Sequence, residues 1–85
     1  MRTDPLTRTR AALSAWRSSG DTEDIRRARR ALEDARRELA QLRATPGAGA
    51  AFLSDLEDVA SEIYRLEAQV SAAEGNTLRE RAVRR

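Results

Sequence analysis

From Ile25 to Leu42 the apolar positions fall at Ile25, Ala28, Leu32, Ala35, Leu39 and Leu42, alternately three and four apart. On a helix that spacing draws one continuous stripe of the coiled-coil type, a surface that has to meet another helix. Ala28-Arg29-Arg30-Ala31-Leu32 returns seven residues later as Ala35-Arg36-Arg37-Glu38-Leu39, so the repeat unit is the heptad. A second stripe, Phe52, Leu56, Val59, Ile63, Leu66, Val70 and Ala73, alternates four and three. Near the N-terminus Leu6, Leu13 and Trp16 keep the same spacing, but Thr9 takes the fourth position, so this third stripe is weaker.

Local signals bound each element. Asp4 before Pro5 predicts an N-cap followed by proline at the first helical position, and Gly20 a C-terminal stop, bracketing a helix over 5–18. Asp21 caps a second helix over 22–44, with Glu23 and Asp24 on the first turn, where the helix dipole favours negative charge. It ends at Thr45-Pro46-Gly47-Ala48-Gly49, because proline biases its predecessor out of the α region. A third helix is predicted over 50–74. Ser54-Asp55-Leu56-Glu57 has capping-box spacing and favours a late start, whereas Phe52 continues the stripe and favours the early one adopted here. Gly75-Asn76 is read as its close, and Thr77-Leu78-Arg79-Glu80 as a second capping box opening a short helix in a basic tail, 76–85.

Two heptad helices joined by a short Pro-Gly loop predict an all-α fold. It is an antiparallel helical hairpin of coiled-coil type with the short N-terminal helix docked at its open end, a small helical bundle and one domain over 1–85. Ile25, Leu32, Leu39, Leu56, Val59, Ile63 and Leu66 should be the most buried residues. Flanking charge agrees with the orientation: antiparallel pairing sets Arg29 and Arg36 near Glu74 and Glu67.

Composition narrows the classes. Eighty-five residues with 16 alanines among their hydrophobic residues make a thin core, for which self-association or a partner is the common remedy. No cysteine, histidine or lysine is present, and all 16 basic residues are arginine. The net charge is only +2, but it is segregated: +3 over 1–20, +2 over 22–44, −5 over 50–74 and +3 over 75–85. No apolar run approaches the roughly 20 residues that cross a bilayer, and the polar start Met1-Arg2-Thr3-Asp4-Pro5 does not read as a signal peptide, so a cytoplasmic location and no membrane partner are expected.

Several residues are candidates for contact with a partner. Trp16 with Leu13 could anchor an interface, although the plainer role is to dock their own helix. Tyr64 lies off the stripe, with a half-exposed contact to the first helix or to a neighbouring chain as its expected role, Leu53 is the other outward-facing apolar candidate, and Leu78 and Val83 join them in the tail. Arg26-Arg27-Ala28-Arg29-Arg30 resembles a nucleic-acid patch, yet Glu23, Glu33 and Asp34 lie four residues from Arg27, Arg29 and Arg30, which favours a locally paired, solvated face. Arg79, Arg81, Arg84 and Arg85 have only Glu80 among them and are the candidate contacts to phosphate or an acidic partner. Aromatic residues for base stacking are sparse, namely Trp16, Phe52 and Tyr64.

Catalysis has little to build on. Without His, Cys or Lys, general bases and nucleophiles reduce to carboxylates, Tyr64 and hydroxyls. Asp55, Glu57, Asp58 and Glu62 cluster on one helix, but a metal site usually adds histidine, so no metal and no cofactor is expected. In length and arginine content the chain resembles the helical chorismate mutases, whose arginines hold a dicarboxylate inside an entwined helical dimer. That family's site also relies on a lysine, absent here, which puts an enzyme last. The expectation is therefore a non-enzymatic structural or adaptor protein that assembles through its helices into an oligomer or larger particle. A nucleic-acid-associated protein using basic termini is the alternative, and no small-molecule substrate is evident.

Overall fold

Three helices, α1 (Pro5–Ser19), α2 (Thr22–Arg43) and α3 (Ala50–Val83), make up the computed structural model of the chain. It describes residues 4–47 and 49–83, with side chains as far as residue 76. The chain is an all-helical bundle in which α2 and α3 pack as an antiparallel hairpin and α1 packs on α2.

Each boundary has a local cause. The Asp4 carbonyl accepts the Arg8 N–H at 3.0 Å and opens α1, while Pro5 fills a position whose N–H would have had no partner. Gly20 takes the left-handed conformation at φ 71° and donates its N–H to the Trp16 carbonyl, the glycine stop expected from the sequence. Asp21 then caps α2 by accepting the Glu23 N–H at 3.0 Å. Ser19 ties the two ends together: its hydroxyl donates to Asp24 at 2.8 Å and accepts the Asp21 N–H at 3.1 Å. Asp24, only 9% exposed, is thereby satisfied, with Arg27 at 3.6 Å as its ion-pair partner. At the other turn the Ala44 and Thr45 N–H groups donate back to the Ala40 and Leu42 carbonyls, and Gly47 supplies the positive φ. The Leu53 N–H donates to Gly49, which confirms the early start of α3.

One predicted boundary is corrected. Gly75-Asn76 does not close α3, which runs to Val83 without a second start at Thr77. Gly75 does not adopt a positive φ, so it makes no left-handed cap. An interior glycine costs a helix only about 1 kcal/mol against alanine, too little by itself to end one. At 1.5 Å per residue the 34 residues of α3 span about 51 Å, which sets the long dimension of the 56 × 25 × 15 Å molecule.

The core joins all three helices. Ile25, Leu32, Leu39, Leu56, Ile63 and Leu66 are buried as expected, with Val70, Ala28, Ala35 and Ala73 beside them. Val59 is only half-buried, because it stands at the margin where α1 begins. Leu6 and Leu13 close the core from α1. Thr9, the apparent flaw in that stripe, is fully buried, and its hydroxyl donates to the Pro5 carbonyl at 2.8 Å. A hydroxyl satisfied on its own helix lets a polar residue occupy a core position.

Candidate interaction surfaces

Charge holds α1 in place between the hairpin helices. Arg10 donates from Nη2 and Nε to one oxygen of Glu62, at 2.7 and 3.1 Å. Seven residues on, Arg17 donates to Gln69 at 3.4 Å, so α1 runs parallel to α3 with a fixed register of 52 residues. On its other flank Arg8 lies 3.5 Å from Asp34, and α1 runs antiparallel to α2. The Arg10 hydrogen bond holds the Glu62 carboxyl below the usual carboxylate range, with smaller help from the charges of Arg10 and Arg65.

On the far side of the hairpin, α2 and α3 are stitched by a second set of pairs. Arg29 reaches Glu67 at 2.6 Å and also Glu74, while Arg36 meets Glu67 at 2.9 Å. The Arg29–Glu74 and Arg36–Glu67 pairs are those that the heptad e and g positions imply. Hydrogen bonding to Glu74, then to Glu67, outweighs desolvation and raises the already high pKa of the Arg29 guanidinium. Half-exposed pairs of this kind add about 0–1 kcal/mol each, so they fix orientation more than they stabilise.

The arginine run of α2 is occupied. Arg26 and Arg30 both reach Glu23, Arg27 reaches Asp24, and Arg29 crosses to α3. The expected partners i+4 downstream, Glu33 and Asp34, are not the ones used by Arg29 and Arg30, because Glu23 and the acidic face of α3 stand closer. A run whose guanidinium groups already hold carboxylates is a poor phosphate cradle.

The apolar candidates separate into three groups. Leu13, 2% exposed, belongs to the core and is not left without cover. The satisfied Thr9 hydroxyl allows α1 to lie flat, and that closes over it. Trp16 is half-buried and packs against the core, the helix-docking role. Leu53 and Tyr64 are outward-facing, 48% and 79% exposed. They lie eleven residues apart, on one face of α3, with Ala60 between them. Ala60 and Tyr64 line a shallow groove between the hairpin helices whose walls also include Leu39, Ala40, Ile63, Arg36, Arg43 and Glu67. The side chains of Leu78, Val83, Arg79 and Arg81, and the whole of Arg84 and Arg85, lie outside the described residues.

Leu42 is the surface residue that the sequence reading assigned to the packed stripe, yet it is 42% exposed. Its position as the last member of that stripe, one residue before the helix end at Arg43, is the available signal. Among the described residues no group of three or more His, Cys, Asp or Glu is placed to hold a metal ion, and Glu62 of the acidic cluster is engaged by Arg10. Also among the described residues, no helix is long and apolar enough to cross a membrane. Comparison with protein-family models, curated proteins and solved structures finds no match.

Proposed function

We propose that this is a non-enzymatic structural or adaptor protein of the cytoplasm that assembles through its heptad-patterned, coiled-coil-type helices into an oligomer or larger particle. The observation that carries this reading is the Leu53–Ala60–Tyr64 stripe of α3. Its Ala60 and Tyr64 line the groove between α2 and α3, on the side of the hairpin away from α1, and Leu53 lies on the same face of α3. A large aromatic side chain 79% exposed on a helix, beside a groove lined by Leu39, Ala40, Ala60 and Ile63 together with Arg36, Arg43 and Glu67, is the kind of anchor that helix-mediated interfaces use. The occupied arginines of α2 and the thin alanine-rich core support association by packing over binding of a charged polymer.

The test is the solution mass of the intact chain at micromolar concentration, at low and moderate salt. A mass above that of one chain, reduced towards it by Tyr64→Glu with Leu53→Glu, is the expected result. A single-chain mass together with fully cooperative unfolding overturns the reading.

A further inference from the structure

The groove that holds α1 is longer than α1. Arg8 faces Asp34, so α1 begins near that point, while α2 continues for about two more turns to Arg43. Arg10 faces Glu62, and α3 begins at Ala50, again about two turns before the start of α1. Among the described residues the groove therefore continues beyond Asp4 to the loop end without a third helix.

That open section repeats the chemistry of the filled one. Under α1, the α2 wall presents Ala31 and Asp34, and the α3 wall presents Val59 and Glu62. Further on, Leu42 lies eleven residues past Ala31, on the same face of α2, and Glu38 lies one turn past Asp34. Phe52 and Asp55 lie one heptad before Val59 and Glu62, on the same face of α3. Leu42 is exposed and Phe52 half-buried, giving the section an apolar floor. Glu38 and Asp55 are both exposed, and neither carboxylate has a hydrogen-bond or ion-pair partner among the described residues.

The helix that fills the first section shows what fits. α1 carries three arginines and no acidic residue between Pro5 and Ser19, and two of those arginines engage Asp34 and Glu62. We propose that the open section at the loop end docks a basic amphipathic helix of a partner protein, laid end to end with α1. Its apolar face covers Leu42 and Phe52, and its arginines or lysines pair with Glu38 and Asp55. A second copy is the weaker occupant, because its own basic helix is already docked, and α2 and α3 present mixed charge. The proposal deepens the adaptor reading and rests on it, by naming the chemistry of one partner.

The probe is a labelled synthetic peptide of residues 4–19, the one basic amphipathic helix known to suit this groove chemistry, titrated into the intact protein by fluorescence anisotropy. The comparison protein is the double variant Leu42→Glu, Asp55→Arg, its fold checked by circular dichroism; both positions are exposed. Expected are binding to the intact chain that weakens with salt, a loss of roughly tenfold in affinity in the double variant, and no binding of a peptide whose arginines are changed to glutamate. Unchanged affinity in the double variant would mean that the peptide only displaces α1, and overturns the proposal, as does absence of binding. A fall in the solution mass caused by the double variant alone assigns the section to a second copy and also overturns it. Oligomeric mass without peptide binding defeats this inference and leaves the adaptor reading intact; peptide binding by a single-chain species defeats self-assembly and keeps the docked partner helix.

Discussion

The two ends of the hairpin are written in the same heptad pattern and yet differ in burial. Where α1 lies across α2 and α3, Leu13, Leu32 and Val70 are at most 2% exposed. At the loop end, where only two helices remain, the stripe members Leu42 and Phe52 are 42% exposed and half-buried. A two-helix contact shields one side of each stripe, and a third helix is needed to shield the other. The apolar pattern therefore records a demand for cover, and the length of α1, fixed by Pro5 at one end and Gly20 at the other, decides where the chain itself meets it.

The comparison is broken most strongly by truncating one leucine from each region. Leu32→Ala should lower the stability to unfolding by about 2–5 kcal/mol, because a fully buried side chain leaves a cavity on removal. Leu42→Ala should stay within about 0.5 kcal/mol in the free protein, the range of surface positions. Denaturant unfolding of both variants checks this; equal losses would show that the loop end is as closed as the middle.

The same contrast explains what was legible in the sequence. Helix starts and stops at Asp4–Pro5, Gly20, Asp21 and Pro46 could be read because each depends on a residue's own backbone chemistry. The α2–α3 ion pairs could be read because the heptad fixes both neighbours at once. Thr9 could not, since its place in the core depends on a hydroxyl satisfied by its own helix, and composition prices it as polar. Leu42 failed for the opposite reason: a stripe says which way a side chain points and nothing about whether α1 reaches it. That Leu53 and Tyr64 stay outside the core could be read because they lie off the stripe, whereas a half-exposed contact of Tyr64 with α1 does not fit its 79% exposure.

Two glycines sharpen the comparison at smaller scale. Gly20 ends α1 in the left-handed region, with nothing within 4 Å of an added Cβ. Gly20→Ala should therefore cost about 1–2 kcal/mol from backbone conformation alone. Gly75 also has open space around an added Cβ, but it sits inside α3 without a positive φ. Gly75→Ala should stabilise by about 0.5–1 kcal/mol. Thermal unfolding of the two single variants should shift in opposite directions; a destabilised Gly75→Ala would show that α3 is interrupted there after all.

The smallest effect concerns how α1 is fastened, and pH isolates it. The folded value of Glu62 lies below the ordinary carboxylate value because Arg10 bonds the ionised form, with the Arg65 guanidinium 3.7 Å away on its other oxygen. A group with a depressed folded value favours the folded state above its unfolded pKa, about 4.3 for a glutamate. That contribution declines as pH falls through the folded value. Acid should therefore loosen α1 only below the usual carboxylate range. Trp16, the single tryptophan, sits half-buried on α1 and reports its docking by fluorescence. In Arg10→Gln the hydrogen-bonding cation is removed, so the midpoint of the acid-induced Trp16 change should move up in pH towards the ordinary glutamate value. Arg65→Gln should move it less, since the Arg65 charge is the smallest of the influences on Glu62. An equal midpoint in the wild-type and Arg10→Gln proteins would mean that the Arg10–Glu62 pair orients α1 without holding it against acid.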